Sequence, residues 1–367
     1  MTRHPSSAFG TFSPRGGEKA AQGTRLVAFS PRARGEKVAN GRMRGALLAL
    51  LFLATPAFAQ VLTSTSAGIV VAHDGKIELR GRWSVDGPQH PTEIIASAER
   101  VAVLDALENE AVIVELASGR ATNIKTAETP IAATFIGDEL YILARDARVL
   151  QHGSTRIALA PDPAFLRQSN GRLYVYSRTA GVLEEIERGR VTRRFSLPPF
   201  ASDFEISGSI AYLVYPRDAR VRTYDLGTMK SAGEIAVGGV PSDLAFAGGG
   251  TALTARVLAV ADPSAKRVWL QEGTQSMTQA IARGVLRGFL GLGLFGSRAS
   301  QFPTGVDRVA IRGKTWIAYD SSSGTLYRFT KQKSSIVAKN VAPGAFALTP
   351  DGVAWWDGTS VAQTTVR

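Results

Sequence analysis

The feature that most constrains the fold of this chain is a repeated hairpin pattern. Residues 257–270 consist of an apolar run, a polar turn at Asp262, Pro263 and Ser264, and a second run in which apolar and polar residues alternate. This pattern is typical of two antiparallel β-strands joined by a tight turn. It recurs at residues 315–329 and, more weakly, at five other places. We therefore predict a chain built from repeated β units.

Seven stretches fit the pattern, and each follows a further apolar strand that begins at a turn. The hairpins begin at Val101, Leu140, Leu173, Tyr212, Val257, Trp316 and Val353. The preceding strands begin at Pro91, Pro130, Pro163, Ala201, Pro241, Pro303 and Pro343. A fourth, polar-alternating segment follows each of the first six hairpins, and the 308 residues from Gln60 onward divide into seven units of 44. We therefore predict an all-β, seven-bladed β-propeller with four-stranded antiparallel blades.

The last unit lacks an outer strand, which bears on how the ring closes. Lys76 to Trp83 form an alternating strand that belongs to none of the seven units. A four-stranded sheet that is apolar on both faces needs a neighbour on each side. We predict that this N-terminal strand pairs with residues near Val361 and joins the first blade to the last.

The segment from Met43 to Ala59 has the pattern of a secretory signal peptide. Arg42 and Arg44 precede an apolar stretch from Ala46 to Ala54, and a small-x-small sequence ends at Ala59. The apolar stretch is too short for a transmembrane helix, which needs about twenty residues. We predict cleavage after Ala59 and a periplasmic or extracellular location. Residues 1–42 are either the product of a mis-called start codon, which we prefer, or a disordered basic extension.

The leader carries most of the positive charge of the chain. The formal net charge is +12, and residues 1–59 supply +7 of it. The domain from Gln60 to Arg367 is therefore only mildly basic, and it has no dense stripe of basic and aromatic side chains, so we predict no nucleic-acid partner. There is no cysteine, which excludes disulfides, lipid attachment through cysteine and thiol chemistry.

Several repeats allow a comparison with a known family. Residues 241–246, 257–262 and 267–270, together with residues 349–353 in the last unit, resemble the repeats of YVTN/NHL-type seven-bladed propellers. That family includes lactonase-like and amine-dehydrogenase-like propellers. The resemblance implies the fold and leaves the activity open, because such repeats report architecture.

The entrances of the inner strands carry the candidate ligand-binding residues. These residues are His90, Glu93, Asp203, Asp243 and Asp307. On a propeller such positions converge at one end of the axial channel, where carboxylates could hold a cation or a polar ligand. The alternative is that an Asp in such a turn accepts backbone hydrogen bonds at the start of its strand.

An insertion at residues 275–301 breaks the repeat. Met277, Ile281, Val285 and Phe289 recur at a spacing of four, which predicts a short amphipathic helix. We expect the insertion to lie at the channel mouth, just before an inner strand. Its candidate partner-binding residues are Arg283, Arg287, Phe289, Leu290 and Phe295. It could dock on a partner or a membrane surface, or fold back and plug the channel.

No sequence pattern indicates a catalytic centre. His73, His90 and His152 are far apart, and there is no nucleophile-elbow serine or phosphate-binding glycine loop. The tryptophans fit core positions better than cofactor stacking. We predict no metal, no cofactor and no catalytic residue. The favoured function is a monomeric, exported, non-enzymatic scaffold for a protein partner or a small envelope ligand. The alternative is a lactonase-like or quinoprotein-like enzyme whose polar centre is formed by Glu93, Asp203, Asp243 and Asp307.

Overall fold

The chain forms β-strands almost throughout the part that the structure describes. The structure is a computed structural model, and it describes residues 60–247, 256–273, 297–330 and 333–365. Apart from the short 3-10 turn Pro216–Asp218, the regular structure in these ranges is all β-strand. Within the same ranges, no helix has the length and apolar character needed to span a bilayer. Residues 1–59, which include the predicted signal peptide, lie outside the described residues.

The strands form eight antiparallel sheets of consecutive strands, which we number as blades 1 to 8. Blade 1 contains β1 (Val61–Thr65), β2 (Gly68–His73), β3 (Lys76–Leu79) and β4 (Trp83–Asp86); blade 2 contains β5 (Pro91–Ala96), β6 (Arg100–Asp105), β7 (Glu110–Glu115) and β8 (Ala121–Lys125). Blade 3 contains β9 (Pro130–Ile136), β10 (Glu139–Ala144), β11 (Val149–His152) and β12 (Thr155–Ala158); blade 4 contains β13 (Pro163–Ser169), β14 (Arg172–Ser177), β15 (Val182–Glu187) and β16 (Arg190–Ser196). Blade 5 contains β17 (Asp203–Ser207), β18 (Ile210–Tyr215), β19 (Arg220–Asp225) and β20 (Lys230–Ala236); blade 6 contains β21 (Asp243–Ala247), β22 (Arg256–Asp262), β23 (Arg267–Gly273) and β24 (Ser297–Gln301). Blade 7 contains β25 (Arg308–Arg312), β26 (Thr315–Asp320), β27 (Thr325–Phe329) and β28 (Ser334–Ala338); blade 8 contains β29 (Phe346–Thr349), β30 (Gly352–Trp356) and β31 (Val361–Thr365).

A buried aspartate at the end of the second strand shapes the hairpin in several blades. The Asp262 carboxylate accepts hydrogen bonds from the Ser264 hydroxyl at 2.7 Å and the Ala265 N–H at 3.2 Å. Asp105 accepts the backbone N–H groups of Leu107 and Glu108 in the same way. These bonds satisfy turn groups that have no partner in the strand ladder, which is why the Asp-containing turn repeats along the chain.

Apolar side chains fill the spaces between successive blades. Each inner strand contacts the inner strand of the next blade, from β1 through β5, β9, β13, β17, β21, β25 and β29. The core consists of clusters that each combine residues of neighbouring blades. Trp269 and Trp356 belong to these clusters, and Trp83, Trp316 and Trp355 pack against them, as predicted from their apolar positions.

The predicted blade number and the predicted closing strand are wrong. The ring has eight blades, because residues 61–86 form a complete four-stranded sheet, and Lys76–Leu79 is its third strand. Instead of shared strand pairing, blades 1 and 8 meet through core packing and a hydrogen bond from the Leu62 N–H to the Gly344 carbonyl at 3.2 Å. The side chain of Arg80 does reach Val361, donating to its carbonyl oxygen at 3.1 Å. Apolar packing therefore closes the ring among the described residues.

The ring has two faces with different turns. Each inner strand begins on what we call the entrance face. Because strands alternate in direction, the turn between the second and third strands of a blade is also on this face, and the other two turns of the blade are on the opposite face.

The predicted point at which the insertion enters the fold, just before an inner strand, is also wrong. Residues 274–296 lie outside the described residues, and with them the predicted helix and the candidates Arg283, Arg287, Phe289, Leu290 and Phe295. The flanking strands are described. The third strand of blade 6 ends at Gly273 and the fourth begins at Ser297, so the insertion is attached on the opposite face and not before an inner strand.

Candidate functional site

Three of the predicted acidic residues occupy one level of the ring. Glu93, Asp203 and Asp243 each pair in register with the penultimate residue of the second strand in their blade. Arg308 occupies the same position in blade 7, opposite Tyr319. The strand register therefore brings three carboxylates and one guanidinium to the same height at the inner edge of the sheets.

The carboxylates at this level join neighbouring blades. The Leu244 N–H of blade 6 donates to the Asp203 carboxylate of blade 5 at 3.0 Å. The Val309 N–H of blade 7 donates to the Asp243 carboxylate of blade 6 at 2.7 Å. Both aspartates accept backbone N–H groups, as in the structural alternative considered for these turns. The bonds, however, cross from one blade to the next instead of closing a local turn.

Asp307 and His90 do not join this group. Asp307 lies one residue ahead of the level, and its carboxylate accepts the N–H of Ser321 at 2.9 Å and the Ser321 hydroxyl. The backbone N–H of His90 donates to Asp105 at 3.0 Å, and the imidazole is half exposed. Both residues stabilise turns on the entrance face. The five predicted residues are therefore not a single site.

Besides Arg308, two further residues that were not predicted, Arg167 and Glu205, complete the cluster. Arg167 of blade 4 donates through Nε to Glu205 of blade 5 at 2.7 Å, and through Nη2 to Asp203 at 3.4 Å. Its Nη1 also donates to the Leu166 carbonyl at 3.0 Å. Glu205 follows Asp203 by two residues, so strand alternation places both side chains on one side of β17. The spacing of two residues from Asp203 could have identified Glu205 from the sequence.

Burial and charge set the protonation of the cluster. Burial raises the pKa of Glu93 to about 7, although the charge of Arg167 and the N–H of Ala133 both act to lower it. Burial also raises the pKa of Glu205, against the attraction of Arg167. The pKa of Asp243 is raised well above its ordinary value by burial and by the adjacent Asp203 carboxylate. Like charges held together in a poorly solvated space favour retention of protons.

Glu93 has an unusual environment within this cluster. Its Oε2 atom is buried and has no hydrogen-bond partner among the residues that the structure describes. A buried, unpaired carboxylate oxygen is costly when ionised, which agrees with the raised pKa of Glu93. Glu93 therefore differs from Asp203 and Asp243, neither of which has a buried carboxylate oxygen without a partner in the described ranges.

The arrangement supplies hydrogen bonds that join neighbouring blades. In the described ranges, no group of three or more His, Cys, Asp or Glu side chains is placed to hold a metal ion. Of the polar centre predicted for an enzyme, only Glu93, Asp203 and Asp243 lie at one level, and Asp307 is engaged elsewhere.

Comparisons with known proteins support the fold. No family model matches the chain, and no curated protein sequence matches it. BamB from Moraxella catarrhalis is similar over 83% of this chain and 97% of its own, with 9% identity and a TM-score of 0.57. A chain of the mitotic checkpoint complex is similar over 82% of this chain and 96% of its own, with 11% identity and a TM-score of 0.53. A chain of Kuenenia stuttgartiensis hydrazine synthase is similar over 79% of this chain and 99% of its own, with 13% identity and a TM-score of 0.50. At these identities the likeness shows a β-propeller fold alone.

Proposed function

We propose that this chain is a non-enzymatic binding scaffold that acts in the cell envelope or outside the cell. The observation that supports this proposal is that the carboxylates at the channel mouth form structural hydrogen bonds. Asp203 and Asp243 hold neighbouring blades together, and Asp307 stabilises a turn. These acidic groups are therefore engaged in maintaining the ring. One of the similar structures is named as part of a mitotic checkpoint complex, which is compatible with a role in a protein complex.

The proposal also includes export of the protein and its membership of the YVTN/NHL-type propellers. The signal-peptide pattern ending at Ala59 supports export, and the repeats resemble those of YVTN/NHL-type propellers. Intact mass spectrometry of the protein recovered from its own host tests the first point. A chain that begins at Gln60 supports cleavage, whereas a chain that retains residues 43–59 contradicts it.

One observation favours the alternative, an enzyme. The pKa of about 7 for Glu93 is suitable for a general acid or base, and one similar structure is an enzyme, hydrazine synthase. Metal and cofactor content, measured on wild type and on the variants Asp203→Ala and Asp243→Ala, separates the two functions. For a scaffold, we expect both variants to lose stability and to show no loss of a bound ion or cofactor. A stoichiometric ion or cofactor in wild type that disappears in the variants would contradict the scaffold proposal.

A further inference from the structure

Exposed apolar side chains are concentrated on the entrance face of the described ring. Four large apolar residues in the described ranges are strongly exposed. Leu107, Phe200 and Val240 lie in turns or connections of the entrance face, and Ile336 lies on an outer strand. In the free protein, an apolar side chain exposed in a surface connection contributes no stability through burial. Phe200 and Val240 lie in successive connections, between blades 4 and 5 and between blades 5 and 6, and each precedes its inner strand by three residues.

The backbone holds Phe200 in an outward position. Its φ angle is 68°, in the left-handed region that bulky residues seldom adopt. Its N–H donates to the Arg178 carbonyl at 2.8 Å. The nearby Pro198 carbonyl accepts hydroxyl groups from Tyr176 at 2.7 Å and from Tyr215 at 2.9 Å. Unfavourable backbone conformations persist where the surroundings impose them, and they cluster at binding sites. The Phe200 ring is therefore presented on a connection fixed by three hydrogen bonds.

An arginine accompanies the exposed ring. The Arg217 guanidinium lies 5.0 Å from the centroid of the Phe200 ring, within range of a cation–π interaction. Asp218, the adjacent acid, pairs instead with Arg222 at 2.9 Å. Arg217 is exposed and has no acidic partner among the described residues. Aromatic residues and arginine are enriched at the centres of protein interfaces.

Val240 is held in a similar way in the next connection. Its N–H donates to Asp262 and to the Ser264 hydroxyl, both at 3.0 Å. The two apolar residues and Arg217 therefore lie on a rigid part of the entrance face. Preorganised groups lose little conformational entropy on binding.

The charge of this face indicates the chemistry of the partner. The entrance-face turns and connections of blades 3 to 6 carry the basic side chains Arg145, Arg148, Arg178, Arg217 and Lys266 and the acidic side chains Asp146, Asp162 and Asp218. Each of these acidic groups already has a basic partner. Arg148, Arg217 and Lys266 have no acidic partner in the described ranges, so the unpaired charge on this part of the entrance face is positive.

We propose that Phe200, Arg217 and Val240 form a docking surface for a partner protein that presents an apolar cleft flanked by carboxylates. The inference rests on the proposed scaffold function and specifies the surface and the partner. The apolar side chains would enter the cleft, and a carboxylate would pair with Arg217. The connection between Gly273 and Ser297 begins and ends on the opposite face.

The first step of the test identifies the partner. A photo-crosslinking amino acid replaces the exposed Ala180, in a turn of the entrance face, and the protein is expressed in its own host. The crosslinked peptide is then sequenced and its protein is purified. We expect a segment of another protein that contains Asp or Glu beside apolar residues. A second copy of this chain, or a segment without carboxylates, would overturn the inference.

The second step measures binding of the purified partner by calorimetry. Phe200→Asn keeps a residue type that tolerates the left-handed conformation, and Arg217→Glu reverses the charge. We expect each to weaken binding by about tenfold or more. Changing the partner carboxylate to Lys should recover affinity for Arg217→Glu. The controls are Ile336→Thr, at an equally exposed apolar residue, and Arg188→Glu, at an exposed arginine on the opposite face. If the control substitutions weaken binding as much as the test substitutions do, the proposed docking surface is wrong.

The two proposals fail in different ways. If wild type forms a complex whose affinity depends on neither Phe200 nor Arg217, the scaffold function stands and this docking surface is wrong. If no protein is crosslinked and none copurifies with wild type, the scaffold function itself is wrong.

Discussion

The carboxyl of Glu93 provides a quantitative test of the channel cluster, by which we mean Glu93, Arg167, Asp203, Glu205 and Asp243. The ordinary pKa of a glutamate is 4.5, and burial raises the pKa of Glu93 to about 7 in the folded protein. Between these two pH values the unfolded chain loses this proton while the folded protein keeps it. Stability is therefore fully present below pH 4.5 and falls as pH rises to about 7. Each pKa unit corresponds to about 1.4 kcal/mol, so the shift is equivalent to about 3 kcal/mol.

The variant Glu93→Gln should remove this dependence, because an amide of the same shape does not ionise. We expect the variant and wild type to have similar free energies of unfolding near pH 5. Near pH 8 the variant should be more stable, with about 3 kcal/mol as the upper limit. Asp243 and Glu205 also have raised pKa values and add to the dependence in both proteins, so the difference between the proteins isolates Glu93.

Urea unfolding between pH 5 and pH 8.5, followed by tryptophan fluorescence, measures the effect. Glu108→Gln is the matched control, because Glu108 is an exposed glutamate in a turn of the same blade, and its variant should follow wild type at every pH. A Glu93→Gln variant that is less stable than wild type at pH 8 would refute the reasoning. Such a result would show that the ionised Glu93 carboxylate forms stabilising interactions in the folded protein.

Three further substitutions test the ring. Asp243→Ala should lower the free energy of unfolding by about 1–3 kcal/mol in urea titrations, because it leaves the Val309 N–H without its acceptor; Asp243→Asn should restore most of this loss. Gly181→Ala should cost about 2 kcal/mol or more by the same measurement, since Gly181 has a φ of 60° and a Cβ would lie 2.4 Å from the Leu197 carbonyl oxygen. Trp356→Ala should cost about 3–5 kcal/mol and lower the melting temperature, because Trp356 is buried in the packing between blades 8 and 1. Unchanged stability in any of these variants would contradict the role given to that residue.

The hairpins were predictable because their signals are local. Alternation of apolar residues and an Asp-containing turn define each pair of strands, as at Val257 to Leu270. The number of blades was not predictable in this way. The strand Lys76–Leu79 alternates as an outer strand would, and only its pairing with β2 and β4 shows that it belongs to a separate first blade. Ring closure depends on contacts between residues far apart in the sequence, such as the hydrogen bond from the Leu62 N–H to the Gly344 carbonyl.

The channel cluster was predictable only in part. Asp203 and Asp243 were found because they start inner strands, but Asp307 was included although its register is shifted by one residue. A shift of one residue in a strand sends the side chain in another direction, and no local signal reports it. Arg167 was missed because it lies within a strand, and its role depends on Glu205 in the next blade. The exposed Phe200 was not identifiable either, since an aromatic residue after two prolines gives no sign of its backbone conformation or exposure.

Native mass spectrometry of the protein isolated from its own host tests the scaffold proposal most directly. We expect a complex with another protein for wild type, loss of that partner for Phe200→Asn, and retention of it for Ile336→Thr. A wild-type chain that carries no protein partner and instead holds a stoichiometric metal ion or small cofactor would contradict the scaffold proposal.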